Sequence, residues 1–273
     1  MDPFSVQSGE PFVFRGNSDR GVLLIHGFTG SPSYLRHLAA YLNQWGFHVV
    51  VMRLAGHGST PEILAKTTAG DWKHSALEAW NVLKDLAPRR SLMGVSLGGA
   101  LALHLAAQEG LAVERVVSIA APIYLKWMQG IGRLLPFIQP FHPYVYKRRL
   151  QVANRQELMD LGFYDRIPLA ALHALMTFVR EEVRPALPAV TAPTMIMHSL
   201  GDEKVHPKSA KYIYSHIGAS KKELLWLPQA THDPFQGGVN ADLYFKILDF
   251  LSQSDHLAYV PHAPHSALVP VPA

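Results

Sequence analysis

The segment Gly94-Val95-Ser96-Leu97-Gly98-Gly99 sets a hydroxyl between small residues in the pattern G-x-S-x-G. A short apolar run precedes it and an apolar helical pattern follows, which puts Ser96 at a sharp strand-to-helix turn. Gly94 and Gly98 let the backbone close up there, and Ser96 then projects its hydroxyl clear of the strand. The start of the following helix also favours negative charge developing beside it. The chemistry that suits this arrangement is nucleophilic attack on a carbonyl. A glycine-rich turn with an idle serine is the alternative, and it needs neither the strand nor the helix.

A serine hydroxyl becomes a nucleophile when a base takes its proton, and the base needs an acid to orient it. Asp202 stands in Gly201-Asp202-Glu203-Lys204-Val205, just after an apolar run over 194–198. His232 stands in Ala230-Thr231-His232-Asp233, after a run over 223–227. Both fall on loops at the carboxyl ends of predicted strands, where open α/β sheets place their sites. The order nucleophile, acid, histidine fits such a sheet. Glu203 and Asp233 are adjacent rival carboxylates, and the chain holds 15 His. His206 is read as the start of the helix after Asp202. The loop His26-Gly27-Phe28-Thr29-Gly30 can aim the backbone N–H of Phe28 at an oxyanion, with the N–H of Leu97 as second donor. His26 itself is read as packed under that loop, supporting rather than reacting. Gly56-His57-Gly58 is read as a tight structural turn.

The elements that must position these residues are legible as runs. Apolar stretches over 21–26, 48–52, 91–95, 113–120, 194–198 and 223–227 are short and lack clean alternation, which suits strands buried on both faces of a parallel sheet. Helical spacing marks 34–44, 71–86 with Asp71 as N-cap, 97–108, and a late helix carrying Leu243, Ile247, Phe250 and Leu251. Strands alternating with helices imply βαβ units in an open α/β sheet. One stretch, 122–188, breaks the alternation. It has no convincing buried strand, carries Trp127, Phe137, Phe141, Tyr144, Tyr146, Phe163 and Tyr164, and ends in a helix over 169–183. It reads as a helical cap inserted into a core of 1–121 and 189–253. Residues 254–273, rich in Pro, His and Ala, read as a flexible tail. Their histidines suggest no specific metal site.

Composition narrows the class. The chain has 273 residues, 48% of them hydrophobic and 17% charged, as expected of a globular enzyme. With Cys at 0, a disulfide scaffold, a thiolate metal site and a cysteine nucleophile are excluded. The net charge of +4 is thinly spread apart from Lys147-Arg148-Arg149, which reads as a solvated face more readily than a partner-docking surface, so nucleic acid is not an expected partner. No apolar run approaches the ~18 residues of a membrane span and no signal-peptide core stands near the start, so a soluble, cytoplasmic chain is expected.

Taken in order, the motifs His26-Gly27-Phe28-Thr29-Gly30, Gly56-His57-Gly58, Gly94 to Gly99, Gly201-Asp202 and Thr231-His232 resemble those of the α/β-hydrolases, and of the small-cap bacterial carboxylesterases and monoacylglycerol lipases among them. The resemblance runs from about residue 10 to 253 and departs where Thr231 replaces the Gly common before the histidine. It implies a mostly parallel sheet flanked by helices, with a small cap before the acid-bearing strand. It also implies Ser96 as nucleophile, His232 as base, Asp202 as acid, Phe28 and Leu97 as oxyanion donors, a small-molecule ester substrate and no cofactor or metal. Thioesterase, C–C hydrolase or acyltransferase chemistry, or ligand binding on a hydrolase scaffold, would use the same constellation. The oligomeric state is not legible.

Overall fold

A computed structural model describes residues 9–126, 134–146, 164–227, 231–232, 234–235 and 240–253. Trp127, Phe163, Lys147-Arg148-Arg149, Asp233 and the tail from 254 lie outside the described residues. The frame is a seven-stranded sheet in the order β1-β3-β2-β4-β5-β8-β9. Its members are β1 (Phe12–Phe14), β2 (Arg20–Ile25), β3 (His48–Val51), β4 (Arg89–Val95), β5 (Val116–Ile119), β8 (Thr194–Ser199) and β9 (Lys222–Leu227). Only β1 runs antiparallel to its neighbour; the remaining pairs are parallel.

Both faces of this sheet are covered, which is why the apolar runs do not alternate with polar residues. Along β2, Val22 and Leu24 face a core shared with α1 (Arg36–Gln44) and α9 (Ala241–Ser252). Leu23 and Ile25 face the opposite core, which holds Trp72, Trp80 and Leu83 of α3 (Ala69–Leu86) and most of α4 (Leu97–Ala106). Each large aliphatic side chain buried this way contributes roughly 1.5–3 kcal/mol. A short α2 (Pro61–Leu64) precedes α3, and α8 (Lys208–His216) packs beside β8 and β9.

Several boundaries differ from the sequence reading. β1 was not expected: three residues on a sheet edge give too short a pattern. The strand expected over 113–120 contracts to Val116–Ile119. Asp71 is not the N-cap of α3. Thr68 holds that position, and its hydroxyl accepts from Asp71 N–H while Asp71 Oδ2 accepts from Thr68 N–H at 2.8 Å, a reciprocal capping box.

Between β5 and β8 the described chain forms α5 (Leu135–Ile138), a small antiparallel pair of β6 (Tyr144–Tyr146) and β7 (Arg166–Pro168), and α6 (Leu169–Phe178). The helix expected over 169–183 ends early, passing into a π turn over Val179–Val183 and then α7 (Arg184–Ala186). Side-chain contacts tie this insertion to the core. The Tyr164 hydroxyl donates to Gly56 O and accepts from Ser59 N–H at 3.0 Å; Arg166 pairs with Glu62 at 2.6 Å, and Lys73 with Glu182 at 2.5 Å. Phe137 and Phe141, grouped with the cap aromatics in the sequence, are 73% and 81% exposed. Among the described residues no helix is long and apolar enough to cross a membrane.

The crossing of α4 over the end of β2 is a tight point of the frame. A Cβ on Gly98 would lie 2.1 Å from Ile25 O and 2.7 Å from His26 O, both immovable backbone atoms. Gly98→Ala should therefore cost about 3 kcal/mol. Gly70→Ala, in the first turn of α3 where the nearest atom is 3.4 Å away, should gain up to about 1 kcal/mol. Urea unfolding of the two variants checks both, and equal stability would contradict the packing described.

Candidate active site

Ser96 links β4 to α4 with φ 55 and ψ −118, a left-handed backbone for a residue that carries a Cβ. Such strain costs of order 1–3 kcal/mol and persists only where surroundings impose it. Here they do. The Ser96 N–H donates to Ile119 O of the next strand at 2.8 Å, and a Cβ on Gly94 would sit 2.0 Å from Gly98 O. The two glycines thus let strand and helix approach closely enough to force the turn.

Beside Ser96 lies the loop after β2. A Cβ on Gly27 would be 3.3 Å from Ser96 Cβ, so the loop passes directly over the serine. It is a tight turn, with Gly30 N–H donating to Gly27 O at 3.0 Å and Thr29 at φ 60. Among the described residues, neither Phe28 N–H nor Leu97 N–H donates a hydrogen bond. His26 is wholly buried under the turn. Its Nδ1 bonds Gly27 O at 2.9 Å and its Nε2 accepts from Leu54 N–H at 3.2 Å. One donor and one acceptor are thereby used, as in neutral imidazole, and burial pushes its pKa down to about 4. His26 is a strut. The Phe28 ring packs edge-on against His57 and Trp72. Gly56 and Gly58 have φ of +75 and +62, which marks their segment as a structural turn.

Asp202 follows β8 and is fully buried. Its Oδ1 accepts from the N–H groups of Lys204 and Val205, each at 2.8 Å, and its Oδ2 meets His232 Nδ1 at 2.8 Å. Burial alone would raise its pKa, but His232 and the two N–H donors outweigh that and hold it below the usual carboxylate range. The pair therefore consists of an ionised acid on a nearly buried imidazole. The acid loop is itself fastened to the start of the insertion: Lys126 N–H donates to Lys204 O at 2.9 Å, and His206 N–H to Tyr124 O at 2.8 Å. His206 precedes α8 rather than opening it.

Two neighbours were not singled out as partners of this pair. His198, at the end of β8, brings Nε2 to 3.4 Å from Asp202 Oδ2. Burial lowers its pKa against the pull of Asp202, so it is neutral at pH 7. An imidazole closing an apolar strand was the available signal. Glu203, weighed as a rival acid, instead accepts from the backbone N–H of His232 at 3.1 Å. Among the described residues no group of three or more His, Asp or Glu is placed to hold a metal.

Buried His26 and His198 should make the fold acid-sensitive. His26 stays neutral when folded but is protonated near pH 6.5 when unfolded, so acid favours the unfolded chain. Stability should fall by about 3 kcal/mol between pH 6.5 and 4 from His26 alone. His198 acts in the same direction. Denaturant titrations across that range check this, and His26→Asn should flatten the dependence; an unchanged slope in that variant would exclude His26 as its source.

Comparison with known proteins places the chain. A family described as serine aminopeptidase, S33, matches residues 16–237. The carboxylesterase of Bacillus subtilis (strain 168) is 28% identical over 259 residues, 92% of this chain and 99% of that protein. The thermostable monoacylglycerol lipase of Bacillus sp. (strain H-257) is 31% identical over 236 residues, 85% of this chain and 90% of that one. A solved structure reported for LipS and LipT, two metagenome-derived lipolytic enzymes, is similar with a TM-score of 0.79 at 30% identity, covering 89% of this chain and 97% of that chain. With the sheet order and the strained serine turn already in place, a match of this extent makes the chain a hydrolase of the S33 serine aminopeptidase family, within the α/β-hydrolases.

Proposed function

We propose that the chain hydrolyses carboxylic esters of short to medium acyl length, monoacylglycerols among them, with Ser96, His232 and Asp202 as its catalytic triad. The observation that carries this reading is the Asp202–His232 hydrogen bond, formed at the same end of the sheet as the strained Ser96. In the first half-reaction, His232 Nε2 takes the Ser96 proton as Oγ attacks the ester carbonyl. The N–H groups of Phe28 and Leu97 receive the oxyanion, and Asp202 stabilises the imidazolium. His232 then protonates the departing alcohol. Water, deprotonated by His232, releases the acid from Ser96 in the second half-reaction. These steps call for no cofactor. The family description is that of a peptidase, whereas the two relatives described above are named for ester cleavage, which favours esters as substrates.

Residues 122–188 serve in this reading as a cap. A cavity of about 160 Å³ lies between the exit of β5 and the α6–π turn, lined by Pro122, Ile123, Leu125, Leu175, Met176 and Val179 and by Arg180 and Arg184. Pro122 stands three residues past Ile119, whose carbonyl holds Ser96 N–H. Ser96, Phe28, Leu97 and His232 do not line the cavity; in this reading an acyl chain held at Ser96 extends into its mostly apolar space, each buried methylene adding about 0.8 kcal/mol at most.

Ser96→Ala should lower kcat by roughly 10⁴ or more. Asp202→Asn should cost on the order of 10³ to 10⁴ by favouring the wrong imidazole tautomer. Turnover of a p-nitrophenyl ester measures both, and a Ser96→Ala protein within about tenfold of the parent would refute the triad. Across p-nitrophenyl esters of increasing length, kcat/KM should rise from acetate to a maximum at roughly four to ten carbons and then fall. Met176→Trp should move that maximum to shorter chains. A steady fall from acetate onward would reject an apolar acyl site.

A further inference from the structure

Asp202 and Glu203 are consecutive carboxylates on one loop, and both reach His232. The first meets its ring, at 2.8 Å; the second meets its backbone N–H, at 3.1 Å. We propose that Glu203 is a positioning residue: its carboxylate pins the His232 main chain so that the ring held by Asp202 points its free nitrogen at the substrate. The inference rests on the reading of His232 as the catalytic base.

The geometry gives each contact a separate task. The Asp202 bond selects the tautomer and restrains one ring nitrogen, but it leaves the imidazole free to pivot about that nitrogen if the main chain shifts. A second anchor, on the backbone of the same residue, removes the pivot. Both anchors issue from one rigid platform. The loop is closed on itself by the Lys204 and Val205 N–H bonds to Asp202, and Leu125 pairs with Val205 across an isolated antiparallel bridge. The Glu203 side chain therefore measures the position of His232 from the same frame that holds its acid. Glu203 is exposed, so truncating it opens no cavity in the core.

This role predicts an ordering of variants that an acid or a charge effect would not give. Glu203→Ala removes the acceptor and should lower kcat by about 10- to 100-fold, the scale of a sub-ångström to ångström misplacement of a catalytic group. KM should stay within about threefold, because substrate contacts are untouched. Glu203→Gln keeps an oxygen that can accept the same N–H and should recover kcat to within about threefold of the parent. Glu203→Asp, one methylene shorter, should fail like the alanine variant, and it replaces that variant if Glu203→Ala does not fold. His232→Ala is measured in parallel with a p-nitrophenyl ester. If His232→Ala stays active, the base assignment fails and this inference with it. If His232→Ala is inactive while Glu203→Ala keeps full kcat, the positioning role alone is overturned. If Glu203→Gln falls as far as Glu203→Ala, the charge rather than the hydrogen bond is what matters, which also overturns it.

Discussion

The close approach of two backbones is the constraint from which the rest follows. Gly94 and Gly98 leave β4, α4 and the end of β2 near enough that any Cβ would collide with carbonyl groups. That contact forces Ser96 into a left-handed conformation and leaves its backbone bound to Ile119 of the neighbouring strand. The same contact presses α4 against the loop after β2, so Gly27 and Ser96 come together. The strain is sustained by the two buried cores on either side of the sheet.

Around this fixed point the polar groups are arranged by their satisfaction. His26 is spent on Gly27 and Leu54 and holds the loop; it has no lone pair left for chemistry. Asp202 is buried, yet three donors keep it ionised. A buried carboxylate with fewer donors would have taken up a proton instead. Its loop is stitched to residues 124–126, where the insertion begins. These bonds set the loop that carries Asp202 beside that segment.

Much of this was legible in the chain because it depends on local pattern. The central strands announced themselves since both faces are buried, and Ser96 was marked by glycines whose spacing has a steric reason. The loops bearing Asp202 and His232 followed from strand order. Other features depend on contacts between distant residues and left no local trace. Tyr164 meets Ser59, 105 positions away. The separate destinations of the Asp202 and Glu203 carboxylates emerge only when the loop after β9 folds beside them. Asp71 was misplaced as a cap because its side chain serves the helix start from the third position, where composition alone looks the same. The exposure of Phe137 and Phe141 was not legible either, because which way an aromatic side chain faces is decided by packing and not by composition.

In the proposed reaction Ser96, the loop after β2 and the Asp202–His232 pair converge on one reacting carbon. The most direct measurement is a crystal structure of the chain treated with an alkyl phosphonate ester, whose phosphorus mimics the tetrahedral intermediate. The expected result is a covalent bond to Ser96 Oγ, with a phosphoryl oxygen about 2.7–3.1 Å from the N–H groups of both Phe28 and Leu97 and with His232 Nε2 facing the bound oxygen. A phosphonate attached to Ser96 with its oxygen turned away from those two N–H groups, or attached to another residue, would contradict it.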